Sequence, residues 1–426
     1  MSGEREPPRE ARCDDVRLRG FASRVSLERA VAWVEGHAAA LPVEAIPVAE
    51  ASGRVAAVPV KAPVDLPPAD CAGEDGYALR SRETLGAGAY NPMILAIGAA
   101  GAALGPSSAM LVVSGEALPP GADAVLSFGA AERVGACLEV FGAVAEGVGV
   151  ELRGREVRAG TALVDEARVL RPQDAALLAR LGVERVQVVE RPRVRLVVVG
   201  PKRLDGLHLA GDAMGPMLNA LVARDGGIVD AAVLAAEGRS ALGQAIAAPG
   251  DHDVTLVVGR VGTGPDDVAP LALADVGELV LHGVALRPGG SAGLGWAGGV
   301  PVVLLPGAAL ACLCAYELLA GRLIRLQGGR DAALPHLTSE AEVGRKIVSA
   351  VGLVEVCQVR WAAGRAEPVG SPEDGGLATA CRADGFVVIP ASLEGYAPGS
   401  RVTVHLYEAS GASQARASGT VPGTVP

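Results

Sequence analysis

Pro67-Pro68-Ala69-Asp70-Cys71-Ala72-Gly73-Glu74-Asp75-Gly76-Tyr77-Ala78 crowds three carboxylates, Asp70, Glu74 and Asp75, into six residues between a Pro-Pro pair and a Gly-Tyr pair. Proline fixes φ and glycine permits positive φ, so the stretch reads as a shaped loop rather than as helix or strand. Acids held together on a rigid turn suit a cation site, an acid/base site or a surface that rejects anions. The same composition fits a solvated acidic turn, and spacing alone leaves these readings open.

Further stretches of the same kind follow along the chain. Val113-Ser114-Gly115-Glu116-Ala117-Leu118-Pro119-Pro120-Gly121-Ala122-Asp123-Ala124-Val125 carries a hydroxyl on a glycine turn, which can donate to a phosphate or oxyanion or cap its own backbone. In Gly154-Arg155-Glu156-Val157 the charged pair reads as a ligand contact or as a surface salt bridge. Gly211-Asp212-Ala213-Met214-Gly215-Pro216-Met217-Leu218 places an acid where a helix opens, a favoured N-cap position. Gly259-Arg260-Val261-Gly262-Thr263-Gly264-Pro265-Asp266-Asp267 follows an apolar strand. Its glycines suit a backbone nest for an anion, or an ordinary turn. Arg287-Pro288-Gly289-Gly290 and Leu305-Pro306-Gly307-Ala308-Ala309 close the series.

Bulk properties bound the reading. A chain of 426 residues exceeds one ordinary core and implies two to four domains. Half the residues are apolar but only 3% are aromatic, so the cores must be built from Val, Leu, Ala and Ile. The formal charge of −10 leaves no basic stripe to neutralise phosphates and argues against nucleic acid as the main partner. The seven cysteines lack zinc-site spacing and read as reduced thiols of a cytoplasmic protein. Residues 1–19 are charged and read as neither signal peptide nor anchor. The apolar run 300–320 is interrupted by Pro306-Gly307, so it reads as a strand over 301–305, a tight turn and a buried helix over 309–319, with no membrane span.

The local patterns divide the chain. Residues 1–22 read as a disordered leader and 409–426 as a disordered tail. Ser26 is a plausible N-cap for a helix ending near Gly36, because Leu27, Ala30, Val31 and Val34 fall on one face. Strand-like runs are expected at 46–48 and 55–60. Short strands at 93–97, 110–113, 124–128 and 138–141 suggest a small β domain over 66–148. One amphipathic helix is expected at 172–181. From 191 to 332 the pattern changes to strand–turn–helix. Strands are expected at 194–199, 228–233, 254–258, 279–286 and 301–305, with a helix at 216–223, implying βαβ units and a parallel sheet. Residues 333–408 return to β periodicity, with strands at 354–360, 386–389 and 401–406 and a turn at 395–400, reading as a small barrel or sandwich.

Taken in order, these motifs resemble those of the molybdopterin molybdotransferases, the MoeA and gephyrin E-domain family, over about residues 24 to 408. The opening stretch resembles Pro-x-Asp-Asn-Ser-Ala-Met-Asp-Gly-Tyr-Ala, with Asp70 and Asp75 at its two acids. Residues 114–125 resemble Thr-Gly-Ala-x-x-Pro-x-Gly-Ala-Asp-Ala-Val, Ser114 keeping the hydroxyl. Residues 154–157 resemble Gly-Glu-Asp-Ile, with Arg155 reversing one charge and Glu156 keeping the other on a longer arm. Asp212 matches the acid of Asp-Ser-Asn-x-x-x-Leu. Residues 259–267 resemble Gly-Gly-Val-Ser-Val-Gly-x-x-Asp, with Asp267 matched, Arg260 in place of a glycine whose position can require positive φ, and Gly262 without the serine hydroxyl. Residues 287–290 resemble Lys-Pro-Gly-Lys, where Arg287 keeps one cation and Gly290 removes the other. Residues 305–309 resemble Leu-Pro-Gly-Asn-Pro, with Ala308 losing the polar group. Residues 200–204 resemble Thr-Gly-Asp-Glu-Leu, with Lys202 and Arg203 in place of both acids.

The resemblance implies a multidomain α/β plus β architecture. Its parts are an elongated composite domain (23–65 and 149–190), the small β domain, a three-layer α/β molybdopterin-binding-like domain (191–332) and a C-terminal β barrel (333–408). It implies a cytoplasmic homodimer that inserts molybdate into adenylylated molybdopterin (molybdopterin-AMP) with AMP release, using Mg2+. By carry-over, Asp70, Asp212 and Asp267 are the catalytic candidates, and Asp212 and Asp267 the metal ligands. Ser114, Glu156, Gly259, Gly262, Gly264, Arg287, Gly289 and Gly307 are the cofactor-binding candidates. A molybdoenzyme or its maturation factor is the implied partner. The lost polar groups at Lys202, Arg203, Gly290 and Ala308 also fit a catalytically degenerate carrier, assembly factor or scaffold.

Overall fold

The computed structural model describes residues 15–99, 102–199, 214–235, 238–370 and 376–408. The chain forms two compact units, Glu44–Val188 and the combination of Met1–Val43 with Val189–Pro426.

Within the unit Glu44–Val188, six short strands make one sheet in the order Ala124–Ser127, Gly76–Leu79, Ser108–Val112, Met93–Ile97, Cys137–Val140 and Ala131–Val134. Leu79, Leu95, Ala109, Leu126 and Leu138 fill its core without a single large aromatic group among the fully buried residues. A second core, with Ile46, Val48, Val164, Leu178 and Val188, lies under the helix Pro172–Arg180. That helix starts on Pro172, which gives up no useful N–H there, and the Asp174 carboxylate accepts the Arg171 N–H at 2.8 Å.

Two expectations for this unit change. The acidic stretch is not all loop: Cys71–Ala72 and Gly76–Leu79 are strands, the latter seated between Ser108–Val112 and Ala124–Ser127. A Cβ at Gly76 would lie 2.3 Å from the Leu126 carbonyl oxygen, so the glycine serves close strand approach rather than a turn. The run 55–60 is no continuous strand. Val55 and Ala56 make isolated bridges and only Val60–Lys61 is a strand, as Pro59 lacks a ladder donor.

In the other unit, a six-stranded sheet runs in the order Ile228–Ala235, Arg193–Val199, Val254–Val258, Val300–Leu305, Gly293–Ala297 and Glu278–His282. Alternate residues face opposite sides. Leu196, Val198, Leu256, Val258, Val303 and Leu305 join the helices Leu27–Gly36, Met214–Arg224 and Ala309–Ala315 in one core. Val197, Val257, Val302 and Leu304 join Leu242, Ile246, Ala272 and Leu273 in a second. Helices thus cover both faces, giving the expected three layers. Ser26 caps the first helix, its Oγ accepting the Arg29 N–H at 3.3 Å.

The expected all-parallel sheet is mixed. Gly293–Ala297 runs antiparallel to Val300–Leu305 and to Glu278–His282. The reason is the dipeptide Gly298-Gly299, with φ of 58° and 81°, which closes a two-residue hairpin between Ala297 and Val300. The expected strand 279–286 likewise splits at Gly283, φ 88°. The helix expected at 309–319 continues through a π segment, Tyr316–Ala320, to Gln327. The helices Arg239–Ala247, Ala269–Val276 and Leu377–Arg382 are additional to the expected set.

Residues 337–406 form a barrel. Val354–Ala362, Arg365–Pro368, Leu337–Val343, Arg401–Leu406 and Gly385–Ile389 pair in that order, and Gly385–Ile389 pairs back onto Val354–Ala362 to close the ring. Val343, Val359, Val387, Ile389 and Val404 fill it. Leu286–Arg287 adds to its outside, parallel to Val354–Ala362, which ties the barrel to the α/β sheet. No helix of the described residues is long and apolar enough to cross a membrane.

Candidate active site

The first group of expected residues lies in the unit Glu44–Val188. The register Gly76↔Val112 brings the acidic stretch against residues 113–116. Asp75 Oδ1 accepts the Ser114 N–H at 2.8 Å, the Ala72 N–H donates to Glu116 O at 2.8 Å, and the Gly115 N–H donates to Ala72 O at 2.7 Å. Asp70 Oδ1 accepts the Arg153 N–H at 2.8 Å. Both acids are exposed and both brace a neighbouring turn. The Ser114 hydroxyl donates to Gly73 O at 3.3 Å, so in this arrangement it caps the turn. Glu156 pairs with Arg180 at 3.0 Å, with both side chains about half exposed. Asp65 also belongs here, although no sequence signal marked it. It accepts the Ala159 N–H at 2.8 Å and pairs with Arg153 at 2.6 Å, and these two donors hold its carboxyl below the usual range.

The second group sits in the other unit, where Val254–Val258 ends. Gly259 has φ 94°, and Arg260, which stands where a glycine was expected, has φ 57°. The chain therefore does make the left-handed turn, now through a side chain that disfavours it. A Cβ at Gly307 would lie 3.3 Å from Gly259 Cα, so the two glycines let neighbouring strand ends approach closely. The loop then folds back on Asp267. Its Oδ2 accepts the Gly264 N–H at 2.6 Å and would lie 2.7 Å from a Cβ placed at Gly262. The N–H groups of Gly262 and Thr263 donate to no acceptor among the described residues. Two open backbone donors beside a half-buried carboxylate can hold an anion and a cation side by side.

His282 packs behind this loop, a residue the sequence reading missed. Its Nε2–H donates to Val261 O at 2.8 Å, and burial lowers its pKa although Asp267 pulls the other way. The imidazole is a neutral prop for the loop.

Arg287 is placed differently from expectation. Its Nε donates to Glu355 Oε2 at 3.0 Å and its Nη2 reaches the same oxygen. Glu355 is fully buried, so the Arg287 charge is balanced from within the protein. The only trace of this in sequence is an acid inside the apolar run 354–359. Gly289 has φ 127° and packs against Leu286. Asp212, Lys202 and Arg203 lie outside the described residues. Among the described residues no cluster of three or more His, Cys, Asp or Glu side chains could hold a metal ion.

Three family models match in succession: the MoeA N-terminal region (domain I and II) over residues 25–182, the "Probable molybdopterin binding domain" over 195–325, and the MoeA C-terminal region (domain IV) over 340–407. The chain belongs to the MoeA family. MoeA relatives agree along most of its length. The molybdopterin molybdenumtransferase of Staphylococcus aureus is 24% identical over 417 residues, covering 92% of this chain and 97% of that one. Molybdopterin molybdenumtransferase 2 of Mycobacterium tuberculosis is 28% identical over 318 residues, 68% and 77% of the two chains. A crystal structure of the molybdopterin biosynthesis MoeA protein from Pyrococcus horikoshii superposes with a TM-score of 0.72 at 28% identity, covering 91% of this chain and 100% of that one. The multidomain MoeA fold expected from the motifs is therefore the observed one.

Proposed function

We propose that this chain inserts molybdate into adenylylated molybdopterin and releases AMP. The observation that carries the reading is the loop 259–267. It presents two open N–H donors and the Asp267 carboxylate together, at the carboxyl end of a central strand, in the segment matched by the probable molybdopterin binding domain model. The reaction breaks the phosphoanhydride of molybdopterin-AMP, water supplies the oxygen and AMP leaves; the two dithiolene sulfurs bond to molybdenum in exchange for one molybdate oxygen, which leaves as water with the two thiol protons.

In this reading Gly262 and Thr263 donate to a pyrophosphate oxygen, and Gly259, Gly289 and Gly307 allow close backbone approach. Gly264 orients Asp267 instead of touching ligand. The residues present fit a magnesium ion. One carboxylate oxygen of Asp267 is fixed by Gly264 and the other remains to ligate, and magnesium is commonly held by one or two carboxylates together with substrate phosphates. Asp267, with Asp212, would hold it, and it would neutralise charge on the cleaved linkage. Asp70, Ser114 and Glu156 are assigned to ligand positioning. The protein would act as a cytoplasmic homodimer and pass its product to a molybdoenzyme or a maturation factor.

A single-turnover assay tests this with purified protein, molybdopterin-AMP, magnesium and molybdate. The expected result is molybdate-dependent AMP release that falls at least about 100-fold in Asp267→Asn, since a cation ligand is lost with shape kept. Pterin that stays bound without AMP release would identify a carrier instead.

A further inference from the structure

Three alternate carbonyls of the loop 259–267 are held by groups from outside it. The loop's own turns occupy the carbonyls of Arg260, Gly264 and Asp266, which accept the N–H groups of Ala269, Asp267 and Val268. Those of Val261, Thr263 and Pro265 accept from elsewhere: His282 Nε2–H at 2.8 Å, the Leu18 N–H at 2.8 Å and Arg17 Nη1 at 3.4 Å. We propose that His282 and the segment Arg17–Phe21 are positioning residues of this site, aiming the Gly262 and Gly264 N–H groups. The inference deepens the reading of the loop as the anion site and rests on it.

In a trans peptide the C=O and the following N–H point in opposite directions, so fixing one aims the other. The peptide bonds of this loop are trans. His282 on Val261 O therefore sets the direction of the Gly262 N–H, one of the two open donors. Leu18 on Thr263 O sets the Gly264 N–H, which in turn holds Asp267 Oδ2 at 2.6 Å. A bonded carbonyl also polarises its peptide and strengthens the donor on the far side. The outer segment is itself anchored. Leu18 has φ 60° and Gly20 φ 78°, and the Arg19 and Gly20 N–H groups both donate to Val16 O, so the chain turns tightly at the contact. The Phe21 ring meets His282 edge-on at 4.9 Å and covers Gly283, where a Cβ would lie 2.5 Å from the ring. Arg24 lies over that ring at 5.1 Å, and the Val25 N–H donates to Gly283 O at 2.9 Å. A loop with glycines at 259, 262 and 264 loses much conformational freedom when it is ordered. Donors at alternate carbonyls order it before ligand arrives, which removes that cost from binding and reaction.

Three variants of the full chain test this: His282→Leu, which removes the donor, His282→Gln, whose amide keeps one, and Phe21→Ala, which frees the imidazole from behind. The readouts are hydrogen–deuterium exchange over residues 259–267 and single-turnover AMP release from molybdopterin-AMP with magnesium and molybdate. His282→Leu should exchange faster in this loop and release AMP at least about tenfold more slowly, while its melting temperature stays near native. His282→Gln should recover most of both, and Phe21→Ala should lie between native protein and His282→Leu. Native exchange in His282→Leu overturns the proposal whatever the rate. So does His282→Gln that behaves like His282→Leu, since packing rather than the donor would then be at work. Faster exchange with a native rate of AMP release overturns it too. Should His282→Leu not fold, native exchange in Phe21→Ala overturns it instead. Native protein that releases no AMP sinks the insertase reading alone: exchange that rises in His282→Leu and recovers in His282→Gln still assigns the positioning.

Discussion

Asp75 Oδ1 accepts the backbone N–H of Ser114 at 2.8 Å, which locks the acidic stretch to the hydroxyl-bearing turn through a side chain on one and the main chain of the other. Register makes this possible. Gly76 sits opposite Val112 in the sheet, so the residues just beyond each strand end face one another.

The tie needs an acceptor at 75 but no hydroxyl at 114. Asp75→Asn should fold with near-native stability, because the amide oxygen can replace Oδ1, whereas Asp75→Ala should lose about 1 kcal/mol in denaturant unfolding. Ser114→Ala should leave stability within about 0.5 kcal/mol. If its hydroxyl turns from Gly73 O to a ligand, the substrate KM should rise in that variant.

Asp267 can be displaced without being removed. Gly262→Ala would set a methyl group 2.7 Å from its Oδ2, pushing the carboxylate away from Gly264. AMP release should fall at least about tenfold while the unfolding midpoint moves little, because only a side-chain end must shift. Native turnover in Gly262→Ala would show that the Asp267 geometry is unimportant.

Arg260 holds φ 57° where glycine would be unstrained. Arg260→Gly should raise stability by about 1 kcal/mol, the cost of a left-handed non-glycine residue. Its 3.8 Å pairing with the half-exposed Asp266 is too long to offset much of that. A fall in the melting temperature would show that Arg260 contributes contacts that outweigh its backbone.

Burial lowers the pKa of His252, His282 and His405 from the ordinary 6.5. Each takes up its proton more readily in the unfolded chain, so falling pH favours unfolding. Stability should be complete above about pH 6.5 and decline as pH drops from there towards the depressed folded values. Thermal melts at about pH 7.5 and about pH 5.5 should show the lower midpoint in acid, and His282→Gln should reduce the difference. A midpoint independent of pH across that window would contradict the buried, neutral assignment.

Much of the architecture was legible in local pattern. The strands Met93–Ile97, Val254–Val258 and Arg401–Leu406 match their expected limits, because the first two are apolar runs and the third alternates polar with apolar residues. The mixed α/β sheet was missed although Gly298-Gly299 is a hairpin signal. That signal competed with a strand–helix rhythm, and strand direction is set by the turn rather than by periodicity. Helix Ala269–Val276 was missed because seven of its eight residues are apolar and the first five are buried, which removes the amphipathic stripe that marks a helix.

The sequence by itself determined the family, the three-layer and barrel domains, and the glycine loop with Asp267, because these rest on short-range patterns of turn residues, apolar periodicity and motif order. Only the tertiary structure decided where the charges act. It places Glu355 against Arg287 through the pairing of Leu286–Arg287 with Val354–Ala362. Those partners are 68 residues apart. A charge acts over a few ångströms of space, so its role is fixed by strand pairing that no local stretch of sequence contains.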